Sequence, residues 1–181
     1  MPAGLCGLLM SMDDMCPASP LIGGSVMPGA ELLADVDVIG IPKAQPRPRA
    51  AVRGRHAMMY DPGTASEWRR QVAAELEAEA DRRQEGRGGS PAAGAIVMDL
   101  AFRIPRAKSH YSTKKFSLRP SAPTHHLKKP DVDNLAKAVL DETHAIIKDD
   151  RQVVALTVTK RYVEPGEKGG VHIQIWSIPQ L

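Results

Sequence analysis

Asp131 and Asp133 stand one residue apart, Lys137 follows a helical turn later, and Asp149-Asp150 close the same stretch, Lys128 to Asp150 (KKPDVDNLAKAVLDETHAIIKDD). Two carboxylates held this close repel, and one is driven toward protonation unless a cation joins them. Mg²⁺ suits such a pair, with Mn²⁺ as a substitute, because it takes hard oxygen ligands and keeps waters for substrate phosphates. A lysine one turn further on can steady charge developing on a phosphate, or orient the attacking water. Asp149-Asp150 precede the β-rich run Val153 to Val158, so a carboxylate at that strand edge can return to the same cation. Residues of these types in this order point to metal-assisted cleavage of a phosphodiester.

Plainer explanations exist for each part. Aspartate at a helix start caps backbone amides and complements the dipole, which alone accounts for many Asp-x-Asp-Asn sequences. An EF-hand places acids at loop positions one, three and twelve, as Asp131, Asp133 and Glu142 are. Position six, which needs glycine for the sharp turn, is Ala136, and position five is Leu135. An aspartyl-phosphatase motif should follow a buried strand, whereas His125-His126-Leu127-Lys128-Lys129-Pro130 comes before this one. Neither pattern fits.

The acids need a helix to position them. Pro130 disfavours helix at Lys129, so a helix is predicted to begin within Asp131 to Asn134. Asp133, Lys137 and Asp141 then follow at i, i+4 and i+8 along one face, while Leu135, Ala138 and Val139 supply the side that packs. An extended Asp131 ahead of the helix would point the same way as Asp133.

Lys129-Pro130-Asp131-Val132-Asp133-Asn134-Leu135, then Lys137, Asp141, Asp149-Asp150, Gln152-Val153-Val154 and Lys160-Arg161-Tyr162, resembles the RusA family. These are crossover-junction endodeoxyribonucleases, resolvases of Holliday junctions in bacteria and their phages. The similarity runs from about Val36 to Ile175. It implies catalytic, metal-binding carboxylates at Asp131, Asp133 and Asp150, an essential lysine at Lys137, and a recurrent acidic position at Asp141. It further implies DNA recombination and repair as the setting, and a homodimer that makes paired nicks in a four-way junction.

The 181 residues suit one domain with a sizeable core and room for a tail. Net charge is +3, but residues 1–42 hold no Lys or Arg and five acids, which leaves +8 on the remainder. That bias suits a phosphate-binding surface. Cys6 and Cys16 have neither zinc spacing nor the density of a disulfide framework. The start lacks the positive region of a secretory signal, and no apolar run is long enough to span a membrane. A cytoplasmic protein is expected.

Residues 1–34, rich in Gly, Pro, Met and Ser, read as a disordered tail, with the endonuclease domain over 35–181. Val36 to Ile41 reads as a strand, followed by a proline-stiffened basic loop carrying Lys43, Arg47, Arg49, Arg53 and Arg55. Beside a nuclease site this loop is read as contacting phosphates. Thr64-Ala65-Ser66-Glu67 is a capping box opening a helix in which Trp68, Val72 and Leu76 form the docking stripe. That helix is expected to end near Gln84, with a flexible linker before a strand from Ala95 to Phe102.

Arg103 to Pro130 has eight Lys or Arg, three histidines and no acid. Lys108, Lys114, Lys115, Lys128 and Lys129 are read as DNA-binding, and Tyr111 and Phe116 as stacking platforms for unpaired bases. His125-His126 has no third ligand at helical spacing and is not read as a metal site. Gln152 to Val163 reads as a strand with Val154, Leu156 and Val158 on one face, joined by a hairpin loop, Glu164 to Gly170, to a last strand through Ile178. The expected fold class is α+β, a mixed sheet with its helices packed on one side. Two other functions fit parts of the pattern: a non-catalytic branched-DNA-binding module, and a flap or fork nuclease of lower specificity. A binder gains nothing from three acids facing DNA phosphates, so the retained carboxylates favour chemistry.

Overall fold

The computed structural model describes residues 21–22, 25–26, 29–46, 49–53, 56–60, 62–84, 92–113 and 117–179. Two short ladders lie outside the main sheet: β1 (Leu21–Ile22) with β2 (Ser25–Val26), and β4 (Arg49–Arg53) with β5 (His56–Tyr60). The main sheet holds β3 (Glu31–Ile39), β6 (Ala95–Ile104), β7 (Val153–Tyr162) and β8 (Gly170–Ile178), in the order β3-β8-β6-β7. β8 runs antiparallel to β3 and β6, and β6 runs parallel to β7, so the sheet is mixed as expected.

Alternation fixes which side of the sheet is covered. Val36 and Val38 of β3, Met98, Leu100 and Phe102 of β6, and Val171, Ile173 and Ile175 of β8 are buried in one cluster. The same cluster takes Trp68, Val72, Leu76 and Ala80 from α1 (Ser66–Gln84), and Leu135, Ala136 and Val139 from α2 (Val132–Leu140). The every-fourth-residue stripe on α1 is thus the packing face read from the sequence. Gln71 Nε2 donates to the Ile39 carbonyl at 2.6 Å and Arg83 Nη1 to the Leu32 carbonyl at 2.9 Å, tying α1 along β3. Trp68 packs against Gly40, where a Cβ would lie 2.9 Å from Trp68 Cζ3, so only glycine allows the approach. The opposite face of the sheet is mixed, burying Val97 and Trp176 beside polar side chains. His172 Nε2 is 2.7 Å from Asp35 Oδ1, Gln174 Nε2 donates to Asp35 Oδ2 at 3.1 Å, and burial raises the pKa of the nearby Asp99 carboxyl.

Several local expectations are corrected. β3 begins at Glu31 and buries Ala34 completely, so residues 31–34 belong to the sheet and not to a tail. Residues 1–20 lie outside the described residues. The basic stretch after β3 is not wholly a loop, because Arg49 and Arg53 begin and end one strand of the β4-β5 hairpin. α1 opens at Ser66, whose hydroxyl donates to the Gly63 carbonyl at 2.8 Å, in place of a box built on Thr64.

The expected β7-β8 hairpin does not form. β8 inserts between β3 and β6, and the Glu164–Gly169 turn crosses the end of β6, where the Gly169 carbonyl accepts the Gly40 amide at 2.9 Å. Burial explains the choice. β8 buries Trp176 as well as its core-facing residues, which suits an interior strand, whereas β7 leaves Val154 and Leu156 exposed at the sheet edge.

Candidate active site

Asp131 is delivered by a segment held from below. The Lys129-Pro130 peptide is cis, and Asp131 is the extended N-cap of α2, with φ −76° and ψ 147°. Its carbonyl accepts the Leu135 amide at 3.1 Å, but its side chain makes no capping hydrogen bond. Capping therefore does not account for this carboxylate. Lys160, on β7, donates to the Pro130 carbonyl at 2.9 Å and the Lys128 carbonyl at 3.1 Å, fixing the chain on the N-terminal side of Asp131. From the other side, the Gln45 amide donates to the Asn134 carbonyl at 2.9 Å, which brings the segment carrying Lys43 against the start of α2.

α2 is short and strongly two-sided. Leu135, Ala136, Ala138 and Val139 are buried, while Asp133 and Lys137 are exposed. Lys137 Nζ donates to Asp141 Oδ1 at 2.9 Å, and this hydrogen bond is the main reason its pKa is raised above the ordinary lysine value. Asp150 also acts on Lys137 through space in the same direction. Asp141 Oδ2 is 3.9 Å from Arg69 Nη2, and Arg69 Nε donates to Glu142, so a chain of alternating charges runs from α1 to Lys137.

The later acidic pair divides its work. Asp149 caps the 3₁₀ turn Asp150–Gln152, accepting from the Arg151 amide and Nε at 2.9 Å and from Arg151 Nη2 at 2.7 Å. The Arg151 guanidinium holds the Asp149 carboxyl well below the usual carboxylate range. Gln152 completes the cap by accepting the Asp149 amide at 2.9 Å, and its Nε2 donates to the Ala92 and Gly94 carbonyls at 3.0 Å. Asp149 is thereby a structural residue, and the exposed carboxylate of the pair is Asp150.

Asp131, Asp133 and Asp150 are exposed oxygen donors of the type Mg²⁺ prefers. The donor chemistry fits a divalent cation. Among the described residues, however, no three His, Cys, Asp or Glu side chains converge closely enough to hold a metal ion. The structure places Asp131 and Asp133 at one helix start and Asp150 on the side of Lys137, without gathering all three.

The model of the family described as Endodeoxyribonuclease RusA matches residues 40–176. The chain belongs to the RusA family. A relative from Bacillus subtilis (strain 168), the uncharacterized protein YqaN, is 37% identical over 135 residues, covering 70% of this chain and 86% of its own. RusA proteins are endonucleases that act on branched DNA in recombination and are generally divalent-metal dependent, and the α+β fold with its mixed four-stranded sheet agrees with the family.

In this RusA chain the basic positions are unevenly placed. Lys43, Lys108, Lys128 and Lys129 are exposed, with Lys128 and Lys129 directly before the Asp131 carboxylate. Arg49 and Arg53 lie on β4, and Arg47, Arg55, Lys114, Lys115 and Phe116 lie outside the described residues. The long loop after β6 is anchored at Tyr162. Arg106 stacks 4.8 Å over its ring, and His110 and His126 meet it edge-on at 5.1 and 4.8 Å. Arg106 also donates to the Val163 and Pro123 carbonyls at 2.9 Å. Tyr111 is half-buried, and its backbone bridges to Leu118. His126 is buried, and burial followed by the Lys160 charge lowers its pKa.

Lys160 and Arg69 were not singled out as site residues. Lys160 enters the sequence reading only as part of the motif Lys160-Arg161-Tyr162, and its spacing to Pro130 carries no local signal. Arg69 follows the buried Trp68 on α1, so only the packing of α1 beside α2 reveals its reach toward Asp141.

Proposed function

We propose that this RusA-family chain is a Mg²⁺-dependent endonuclease of the cytoplasm that resolves four-way DNA junctions by paired nicks, acting as a homodimer with one site per subunit. The observation that carries the reading is Asp131 at the N-cap of α2, exposed and uncapping, with Asp133 and Lys137 following on the exposed face of the same helix. A bare carboxylate here, next to Lys128 and Lys129, is expensive for a pure DNA binder, because it repels the phosphates that the lysines attract.

Asp131, Asp133 and Asp150 would hold the cation, which supplies Lewis-acid polarisation of the phosphodiester and a more acidic attacking water. The chain's own groups do the rest. Lys137, oriented by its hydrogen bond to Asp141, sets a full positive charge one turn beyond the carboxylates, where it stabilises charge building on the phosphoryl oxygens. Lys160 and Gln45 hold the ends of the Asp131–Asp133 segment, and Asp150 would have to approach it when the cation binds. Lys43, Lys108, Lys128 and Lys129 attract the backbone of the flanking arms. Two-fold symmetry of the junction makes a two-fold dimer the economical way to place two cuts.

The test is cleavage of a labelled four-way junction beside linear duplex, in Mg²⁺ or EDTA, by the wild-type protein and Asp133→Asn. Metal-dependent paired nicks near the junction centre, lost in the variant, are expected. Tight junction binding with no cuts in any condition would replace the enzyme by a structural binder, and equal cutting of flaps and forks would replace the resolvase by a less specific nuclease.

A further inference from the structure

Leu127 is 89% exposed, the most exposed large apolar side chain among the described residues. Single exposed leucines are common on protein surfaces and need no special cause. This one differs because the chain is fastened on both sides of it. His126, just before it, is buried and meets the Tyr162 ring edge-on at 4.8 Å. The Lys128 carbonyl, just after it, accepts from Lys160 Nζ at 3.1 Å, and the Pro130 carbonyl accepts from the same nitrogen at 2.9 Å. Further back, Arg106 Nη1 donates to the Pro123 carbonyl at 2.9 Å. The backbone thus holds Leu127 at a defined place and leaves its side chain in solvent.

The surroundings of this leucine suit nucleic acid. His125, Lys128 and Lys129 are exposed beside it, and the chain holds no acid from Arg103 to Pro130. Asp131, the first carboxylate of the site, is four residues on. Four residues of chain reach at most ~14 Å, about four nucleotides of one DNA strand at ~3.4 Å each. Tyr111, expected from the sequence to stack on bases, is half-buried, so the exposed apolar group ahead of the acids is aliphatic. The lysines attract the sugar-phosphate backbone, and an apolar side chain among them has only the base faces to bury itself against.

We infer that Leu127 is a wedge that enters the base stack at the branch point. Resting on the endonuclease reading above, the wedge accounts for how the same site selects branched DNA. Apolar side chains of this kind insert between base steps and partly unstack them. In a continuous duplex a complete stack must be broken to admit the leucine. At a four-way branch the stack is already interrupted, and entry costs less. Lys128 and Lys129 hold phosphates of any duplex, whereas Leu127 favours the branched form and brings a nearby phosphate of the opened strand to Asp131. The fastened backbone presents the side chain before DNA arrives, so little ordering is needed on binding.

The test uses the full-length protein as wild type, Leu127→Ser and Leu127→Met. The four-way junction carries 2-aminopurine, whose fluorescence rises on unstacking, either at the branch or within one arm. Binding and fluorescence are measured in EDTA, and single-turnover cleavage in Mg²⁺. Wild type is expected to raise the fluorescence at the branch and not in the arm. Leu127→Ser should abolish that rise, cut more slowly, and bind the junction roughly tenfold more weakly, the low end for a leucine taken out of water. Its affinity for linear duplex, its salt slope and its melting temperature should stay near wild type, because the lysines and the core are untouched. Leu127→Met, apolar and of similar volume, should keep both the fluorescence rise and the rate. A serine variant that still unstacks the branch and cuts at the wild-type rate would overturn the wedge and leave the endonuclease intact. A serine variant changed only by weaker self-association in sedimentation would overturn it too, assigning Leu127 to a protein contact. A wild-type protein that neither binds nor cuts branched DNA would remove both readings together.

Discussion

Lys137 Nζ and Asp141 Oδ1 are 2.9 Å apart across one turn of α2, so the lysine of the candidate site is held in place by an acid of its own helix. Arg69 stands on the far side of that acid, 3.9 Å from its other oxygen. Asp141 is therefore shared between a lysine that faces the site and an arginine fixed by Glu142. That geometry would let Asp141 position Lys137.

Asp141→Asn should slow single-turnover cleavage about tenfold, or about 1.4 kcal/mol, because Lys137 loses the partner that orients it. The exposed pair contributes only about 0.3–0.5 kcal/mol to the fold, so the melting temperature should hardly move. Losing Asp141 also removes the main cause of the raised Lys137 pKa, so the alkaline limb of the pH-rate profile should shift to lower pH. An unchanged rate and profile would rule out the positioning role.

Lys160→Met removes both hydrogen bonds that hold the segment before Asp131. Each lost bond leaves a carbonyl without its charged donor, and together they should cost about 1–3 kcal/mol. At ~2–4 °C per kcal/mol for a chain of this size, thermal unfolding should show a clear drop. Cleavage should fall as well even at saturating Mg²⁺, since Asp131 loses its support. A stable variant with full activity would show that Pro130 is positioned without Lys160.

Gly40→Ala should lower stability by about 1–3 kcal/mol, the range for overpacking, because the new Cβ would meet the buried Trp68 ring at 2.9 Å. Gln71 Oε1, also 2.9 Å away, is exposed and can swing aside, but Trp68 cannot. Calorimetry of the two proteins checks this directly.

His126 gives the fold an acid-sensitive point. Its folded pKa lies below the ordinary 6.5, first because it is buried and then because of Lys160. Above that value it is neutral folded or unfolded and contributes nothing to pH dependence. As pH falls through it, the unfolded chain binds the proton first and stability is lost until the folded pKa is reached. His126→Phe keeps an aromatic ring against Tyr162. Its melting temperature should therefore fall less than that of wild type between pH 7.5 and pH 5, and parallel curves would show that other groups dominate the acid limb.

Much of this protein was readable in advance. The α1 stripe, the strand at Ala95, the helix starting after Pro130 and the exposed Asp133-Lys137 face all follow from side-chain periodicity, which depends on neighbours in the chain. The split between Asp149 and Asp150 was not readable from periodicity. Two adjacent aspartates look alike until the backbone shows one capping a turn and bound to Arg151.

By itself the sequence determined the order of the two helices and the four strands of the main sheet, the acidic segment with its lysine, and the family to which they belong. Those are local properties: period, turn chemistry, and the identity of residues within a few positions of each other. Only the tertiary structure decided that β8 passes between β3 and β6, since strand neighbours are chosen by which faces can be buried together and not by succession along the chain. The same long-range packing set Lys160 beneath Pro130 and Arg69 beside Asp141, contacts made by residues 30 and 72 positions apart.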